Sequence, residues 1–193
     1  DMYFNLGRAC YQLGYPDKDE TRFTQAVDAL NQVLEANPND ARAYDYLGRI
    51  RYRLGDPEGA WPLLERATAL NPTLPAPYLF RGNIYYDRKD YEHAIAQYQA
   101  SLDHGEKVSA AYCYEKIGRS YYRWKWAGGG PEDYARARAA LNQALELDPN
   151  RPNVYDYLGR ICYYEEDYDL ARQFLERANQ LNPDLNSPYY LRG

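Results

Sequence analysis

Apolar and small residues recur along the chain at helical spacing. Tyr44, Leu47 and Gly48 fall at positions i, i+3 and i+4, which places them on one face of a helix. The pattern breaks at Gly55, where a residue without a side chain favours a turn. The sequence therefore predicts a helix that ends shortly before Gly55.

A second helix is predicted directly after this turn. Asp56 is a suitable N-cap residue, and Pro57 suits the first turn because its missing amide hydrogen is not needed there. Asn71 and Pro72 end the helix. Its apolar stripe consists of Ala60, Leu64 and Ala67. The unit is therefore a helix, a turn, a second helix and a closing turn.

The same unit recurs along the chain, marked by one glycine in each first helix. Successive glycines are separated by steps of 41, 34, 36, 41 and 34, and the first three steps together make a long period of 111. At this long period, residues 1–82 align without gaps on residues 112–193 with about 40% identity. Internal periods of this size indicate a repeat solenoid. The glycines are Gly7, Gly48, Gly82, Gly118, Gly159 and Gly193.

The unit resembles the tetratricopeptide repeat. The matching elements are an aromatic residue four before the glycine, Leu-Gly, an alanine in the second helix, and the closing Asn-Pro or Asp-Pro. The resemblance implies an all-α, right-handed superhelical solenoid of antiparallel helix pairs, with five units and the start of a sixth. We expect one array over residues 1–193, built from long-period units 1–111 and 112–193, the second of them incomplete.

Two of the five units carry inserts between their helices, near residues 14–20 and 124–131. In a regular solenoid both inserts would project from the same edge. Tyr15, Trp124 and Trp126 lie on or near them. These aromatic residues either form a lateral contact site for a partner or pack back on their own repeats.

The resemblance also implies that the first helices line a concave surface. Residues one and four places after each glycine lie on the helix face beside the core stripe. One place after the glycines stands an arginine, or an asparagine in the third unit, and four places after stands a tyrosine. We call these two sets the arginine ladder and the tyrosine ladder. They fit a groove for a peptide, because tyrosine and arginine are enriched at interface hot spots. The candidate binding residues are Arg8, Tyr11, Arg49, Tyr52, Asn83, Tyr86, Arg119, Tyr122, Arg160 and Tyr163.

Two structural interpretations compete with binding. The arginines form i, i+4 pairs with acidic residues, and each pair stabilises a helix by about 0.2–0.5 kcal/mol. The tyrosines, in turn, could wedge between neighbouring first helices. The acidic partners three residues before the glycines are Asp45, Glu115 and Asp156.

Some tetratricopeptide proteins bind C-terminal carboxylates through a clamp of lysine and asparagine. Phe4 and Asp45 occupy positions where the clamp needs lysine. The sequence therefore does not predict that ligand.

Charge and cysteine content narrow the classes of partner. A net charge of −5 argues against nucleic acid, since phosphate binding needs a basic surface, and no apolar run is long enough for membrane insertion. Cys10, Cys113 and Cys162 have no local metal-ligand spacing, so free buried thiols and no metal are predicted. An odd number of cysteines favours a reducing compartment.

No catalytic constellation stands out. His93 and His104 have no nearby cysteine, serine or aspartate arrangement typical of a triad. We expect that the chain binds no cofactor and is not an enzyme. We interpret it as a protein-interaction scaffold that binds a protein or peptide. The alternatives are a building block that associates end to end in an array or filament, which would also fit a cell-surface or extracellular place, and a regulatory arm of a larger enzyme.

Overall fold

The computed structural model of the chain describes residues 2–15, 19–105 and 107–185. The expected start of a sixth unit, with Gly193, lies outside this range, as do residues 16–18 of the first insert. The described residues form ten α-helices and no strand, which confirms the all-α helix-pair fold. The helices are α1 (Met2–Gly14), α2 (Glu20–Ala36), α3 (Ala41–Arg53), α4 (Pro57–Leu70), α5 (Pro75–Asp87), α6 (Tyr91–His104), α7 (Lys107–Trp126), α8 (Asp133–Leu147), α9 (Pro152–Tyr164) and α10 (Tyr168–Leu181).

Aspartate side chains start most of the second helices. Asp56 accepts a hydrogen bond from the Gly59 amide at 2.8 Å, and Pro57 is the first residue of α4, both as predicted. Asn71 follows the last turn of this helix, again as predicted. A capping side chain of this kind stabilises a helix by about 1 kcal/mol, because it satisfies an amide that has no partner inside the helix. The other capping aspartates are Asp19, Asp90 and Asp167.

The repeating glycines allow the two helices of a pair to approach closely. A Cβ atom at Gly118 would lie 2.6 Å from Leu141 Cγ and 3.0 Å from the carbonyl oxygen of Ala137. Gly48 stands in the same relation to Leu64 of its own pair, at 2.7 Å. No side chain fits into either contact, which explains why the sequence repeats glycine here.

The helices fall into two compact units, residues 1–88 with α1–α5 and residues 89–193 with α6–α10. Each has its own apolar core. In unit 1 the core gathers around Phe23, Leu30 and Ile50, and in unit 2 around Leu141 and Ile161. The division of the array into long-period units concerns how the sequence is repeated, and it stays a prediction.

All three cysteines are buried free thiols, as the sequence predicted. Burial raises the pKa of Cys113 and Cys162. None of the helices described has the length and apolar character needed to cross a membrane.

Candidate functional site

We call the set of residues one and four places after the repeating glycines the first-helix face, and describe it within each unit separately. Tyr11 of this set is buried in the core of unit 1. Its ring stacks on Phe23 with centroids 6.1 Å apart and meets Tyr46 edge-on at 5.3 Å. Burial raises its pKa, although the charges of Arg49 and Arg53 act in the opposite direction. Tyr11 therefore supports the face from below.

Tyr122 repeats this arrangement in unit 2. It stacks on Tyr134 at 6.0 Å and meets Tyr157 edge-on at 5.2 Å. In the self-alignment at the long period, Tyr134 and Tyr157 match the two rings that surround Tyr11. The long period thus repeats a three-ring cluster, and two of the five ladder tyrosines belong to the core.

The other ladder tyrosines are only partly buried. The hydroxyl of Tyr52 donates to Asp87 at 2.7 Å, and its ring meets Phe80 edge-on at 5.6 Å, so it joins α3 to α5. Tyr86 is half-buried on α5, and Tyr163 keeps part of its ring open near the end of α9.

Arg49 is held in place by the residue one turn before it. Its Nε donates to Asp45 at 2.7 Å, and a terminal nitrogen pairs with the second oxygen of this carboxylate, which is only 3% exposed. The guanidinium lies over the ring of Tyr46 at 4.6 Å. Burial alone would lower the pKa of Arg49, but the carboxylate of Asp45 outweighs it and raises that pKa. The arginine is therefore fixed and charged.

The arginines of unit 2 also lie beside a carboxylate one turn before them, but with fewer close contacts than Arg49 has. Arg160 pairs with Asp156 at 2.8 Å, and Arg119 lies 3.7 Å from Glu115. Both guanidiniums lie over the ring of Tyr157, at 5.3 and 5.2 Å. The structural interpretation of the i, i+4 pairs and the binding interpretation are therefore compatible, because the pairs orient side chains that remain partly exposed.

The two remaining members of the face differ from the rest. Arg8 is exposed on α1, whereas Asn83, which replaces arginine in the third unit, is buried on α5. The residues able to touch a ligand are therefore the arginines at 8, 49, 119 and 160 and the tyrosines at 52, 86 and 163.

Sequence reasoning missed the partners that reach this face from neighbouring helices. Arg151 donates to Glu115 from a distant part of the chain, and Arg42 covers the ring of Phe4 at 4.3 Å. Glu115 matches Phe4 at the long period, so the exchange of a ring for a carboxylate was visible in the self-alignment. The arginines that contact Phe4 and Glu115 could not be found in this way, because Arg42 and Arg151 do not match each other in the self-alignment.

The aromatic residues of the inserts pack on neighbouring side chains. Tyr15 accepts a hydrogen bond from Arg53 at 2.6 Å, and the guanidinium lies 4.1 Å from its ring centroid. Trp124 and Trp126 belong to the last turn of α7, because the second insert lengthens that helix before it forms a loop. Trp124 stacks on Tyr121 at 6.2 Å, and Trp126 meets Tyr164 edge-on at 4.8 Å.

An open groove of about 710 Å³ lies between α1 and α2. The equivalent face of α7 is covered by α6, where Cys113 approaches Ser101 at 3.6 Å. Met2 is 73% exposed where Cys113 is 1% exposed, and Leu6 is 51% exposed where Ile117 is 6% exposed. The groove is lined by Tyr3, Leu6, Cys10, Gln25, Asp28, Ala29, Asn31, Gln32 and Glu35.

Within the part of the chain that the structure describes, no three His, Cys, Asp or Glu residues are placed to hold a metal ion.

Comparison with protein families gives a consistent result. Models described as tetratricopeptide repeat match residues 18–75, 47–107 and 130–192. Hsp70-Hsp90 organizing protein 3 of Arabidopsis thaliana is 33% identical over 89 residues, which cover 46% of this chain and 16% of that protein. The chain thus spans about a sixth of the length of such relatives.

A second relative matches most of the chain. Type IV pilus assembly protein PilF of Pseudomonas aeruginosa is 26% identical over 176 residues, covering 91% of this chain and 64% of that protein. The solved Pseudomonas aeruginosa PilF structure superposes with a TM-score of 0.76 at 22% identity, covering 94% of this chain and 79% of the other. Cut9, in a structure of the APC/C hetero-tetramer Cut9-Hcn1, gives a TM-score of 0.80 at 24% identity, covering 100% and 36%. At these identities the structural likeness shows the fold alone.

Proposed function

Because this chain belongs to the tetratricopeptide repeat family, we propose that it is a non-catalytic scaffold that binds a peptide or protein segment through its first-helix face. Two relatives have names that state organising or assembly roles, the Hsp70-Hsp90 organizing protein and the type IV pilus assembly protein. Both names describe proteins that act on other proteins, and this supports a role in protein–protein interaction for the chain.

The observation that carries the proposal is the fixed set of arginines. Arg49, Arg119 and Arg160 each lie one turn after a carboxylate that is almost fully buried. The three arginine side chains remain 19–24% exposed. An arginine already fixed in one conformation loses little conformational entropy when it binds, so the arrangement favours recognition.

The chemistry of the face indicates what kind of segment it binds. A guanidinium presents planar donors that match carboxylates and backbone carbonyls. Tyr52, Tyr86 and Tyr163 add aromatic surface beside them. For the part of the face in each unit, we therefore expect an extended segment that offers acidic side chains or carbonyl groups to the arginines and apolar groups to the tyrosines.

The relatives named for Hsp70 and Hsp90 do not determine the ligand. Phe4 is buried and Asp45 is 3% exposed, so neither position of the carboxylate clamp offers a cation. Arg42 and Arg49 supply cations nearby, but Arg42 is paired with Asp40 and Arg49 with Asp45. The proposal therefore does not include binding of a C-terminal carboxylate through that clamp.

The test is a selection from a random peptide library displayed on phage, followed by affinity measurements on the enriched peptides. The variant carries Arg49→Lys, Arg119→Lys and Arg160→Lys, which keep the charge opposite each buried carboxylate but remove the planar donors. We expect the enriched peptides to bind this variant about tenfold more weakly or worse, since bidentate hydrogen bonds are lost. Circular dichroism checks that the helices remain.

The matched control changes three exposed arginines of the second helices to lysine: Arg66, Arg172 and Arg177. Peptides that bind wild type, control and variant equally would contradict the proposal. So would a library that enriches no peptide on the wild-type protein.

A further inference from the structure

Exposed aromatic rings cluster where the turns of the last two helix pairs lie side by side in unit 2. Trp126 is 59% exposed and meets Tyr164 edge-on at 4.8 Å. Tyr163 joins Tyr164 to Tyr168, with centroids 5.9 and 5.5 Å apart. Tyr134 stacks under Tyr164 at 6.1 Å. We call the exposed members Trp126, Tyr164 and Tyr168 the tip patch.

Acidic residues surround the tip patch. Glu165, Glu166 and Asp167 follow Tyr164 directly, and Asp169 follows Tyr168. Asp167 caps α10. Among the described residues, the cations that pair with these carboxylates are Arg138, on Glu165, and Arg172, on Asp169 at 3.1 Å. Lys125, which precedes Trp126, adds a third cation, with its Nζ 5.8 Å from the ring centroid of Tyr134. Four carboxylates against three cations still leave the surroundings negative.

The corresponding place in unit 1 contains its own cation. In the self-alignment at the long period, Tyr15 matches Trp126, and Arg53 matches Tyr164. In unit 1, the guanidinium of Arg53 stands 4.1 Å from the ring centroid of Tyr15 and donates to its hydroxyl. In unit 1, the fold therefore places the guanidinium of Arg53 on the aromatic ring of the insert. Unit 2 has Tyr164 in place of this arginine.

In the described part of unit 2, lysines and arginines lie over tyrosine rings, among them Lys125 over Tyr134 at 5.8 Å, and none lies over Trp126. Tryptophan is the strongest cation–π acceptor among the side chains, and desolvating the contact strengthens it. A guanidinium group suits this surface in two ways: its planar cation can lie on an exposed aromatic ring, and its positive charge is attracted by the excess carboxylates.

We propose that the tip patch is a second interaction surface, distinct from the arginines of the first-helix face, and that it binds an arginine-bearing basic segment of a partner protein. An arginine of this segment takes the place on Trp126 that Arg53 takes on Tyr15. The carboxylates of Glu166 and Asp169 attract the remaining basic groups.

The experiment titrates the full chain with an acetylated hexa-arginine amide and follows tryptophan emission, with calorimetry for the dissociation constant. Trp126→Ala should weaken binding by about tenfold, since it removes the cation–π acceptor. Glu166→Gln with Asp169→Asn should weaken it less and should reduce its dependence on salt. Both changes lie at exposed positions, and thermal unfolding checks that the fold is kept.

Two further variants separate the patch from general attraction to an acidic protein. Tyr15→Ala removes the equivalent ring of unit 1, which Arg53 already covers, and should leave the affinity unchanged. Tyr164→Arg copies the unit 1 arrangement and should block binding by placing an internal guanidinium over Trp126. If Trp126→Ala binds the peptide as tightly as wild type, or Tyr15→Ala weakens it equally, the attraction is diffuse and the proposal is wrong.

Discussion

Arg151 donates two hydrogen bonds to the carboxylate of Glu115, at 2.9 Å from Nε and 2.6 Å from a terminal nitrogen. Glu115 is only 3% exposed, and its second neighbour Arg119 lies on the first-helix face. The pair therefore connects α7 to the start of α9 and supports a candidate binding residue. Its equivalent in unit 1 is a contact between a ring and a cation, Phe4 with Arg42.

Removing this arginine should destabilise the protein markedly. Arg151→Ala leaves a buried carboxylate without its main partner, and breaking such a pair costs about 3–5 kcal/mol of unfolding free energy. Urea denaturation measures this loss. Adding Glu115→Gln to the variant removes a buried charge whose other partner is Arg119, 3.7 Å away, and should restore part of the stability. Arg172→Ala, which breaks a pair on the surface, should change little.

The alanine scan of the tyrosine ladder should divide its members in two. Tyr122→Ala removes a buried ring from a three-ring cluster and should cost about 3–5 kcal/mol, as large-to-small changes in a core do. Tyr163→Ala removes a partly exposed ring and should cost clearly less. Thermal and urea unfolding of the two variants give the comparison. Equal losses would show that the core and the face are not separated as described.

A glycine-to-alanine change should destabilise the helix pair instead of stabilising it. In an ordinary helix this change gains about 0.5–1 kcal/mol. At Gly118 the new Cβ would lie 2.6 Å from Leu141 Cγ and 3.0 Å from the backbone oxygen of Ala137, so the two helices must move apart. Overpacking of this kind costs about 1–3 kcal/mol, which urea denaturation detects. A stabilised Gly118→Ala variant would contradict the close approach.

Acid should weaken the start of α3 through Asp40. Hydrogen bonds from the Arg42 side chain lower the pKa of this carboxyl, against the opposing effect of burial. Its folded pKa lies below the value of about 3.9 found in unfolded chains, so its stabilisation is complete above that pH and is lost as the pH falls through the folded pKa.

Asp40→Asn tests this dependence, because asparagine keeps the capping acceptor but cannot ionise. Wild type should be more stable than the variant at neutral pH, and the difference should shrink as the pH falls below about 4. Urea unfolding at a series of pH values measures it. A difference that stays constant or grows in acid would contradict the assignment.

Parts of the candidate site were readable from the sequence, and others were not. The i, i+4 pairs such as Asp45–Arg49 were readable because helical spacing fixes which side chains share a face. The different roles of Tyr11 and Tyr52 were not, since both stand four residues after a glycine. Tyr11 is enclosed by Phe23 and Tyr46, whereas Tyr52 reaches Asp87 on α5.

The sequence by itself determined the helix-pair unit, its caps, the number of complete repeats and the residues that lie on the first-helix face. These features depend on contacts within one helical turn or one repeat. The same residue pattern occurs in five units, which makes them predictable from the sequence. Only the tertiary structure decided which rings are buried, how Arg151 reaches Glu115, and that Arg53 covers Tyr15 while Trp126 stays exposed. Arg151 and Glu115 lie 36 positions apart, and Arg53 and Tyr15 lie 38 apart. The geometry of such contacts depends on how neighbouring helices pack.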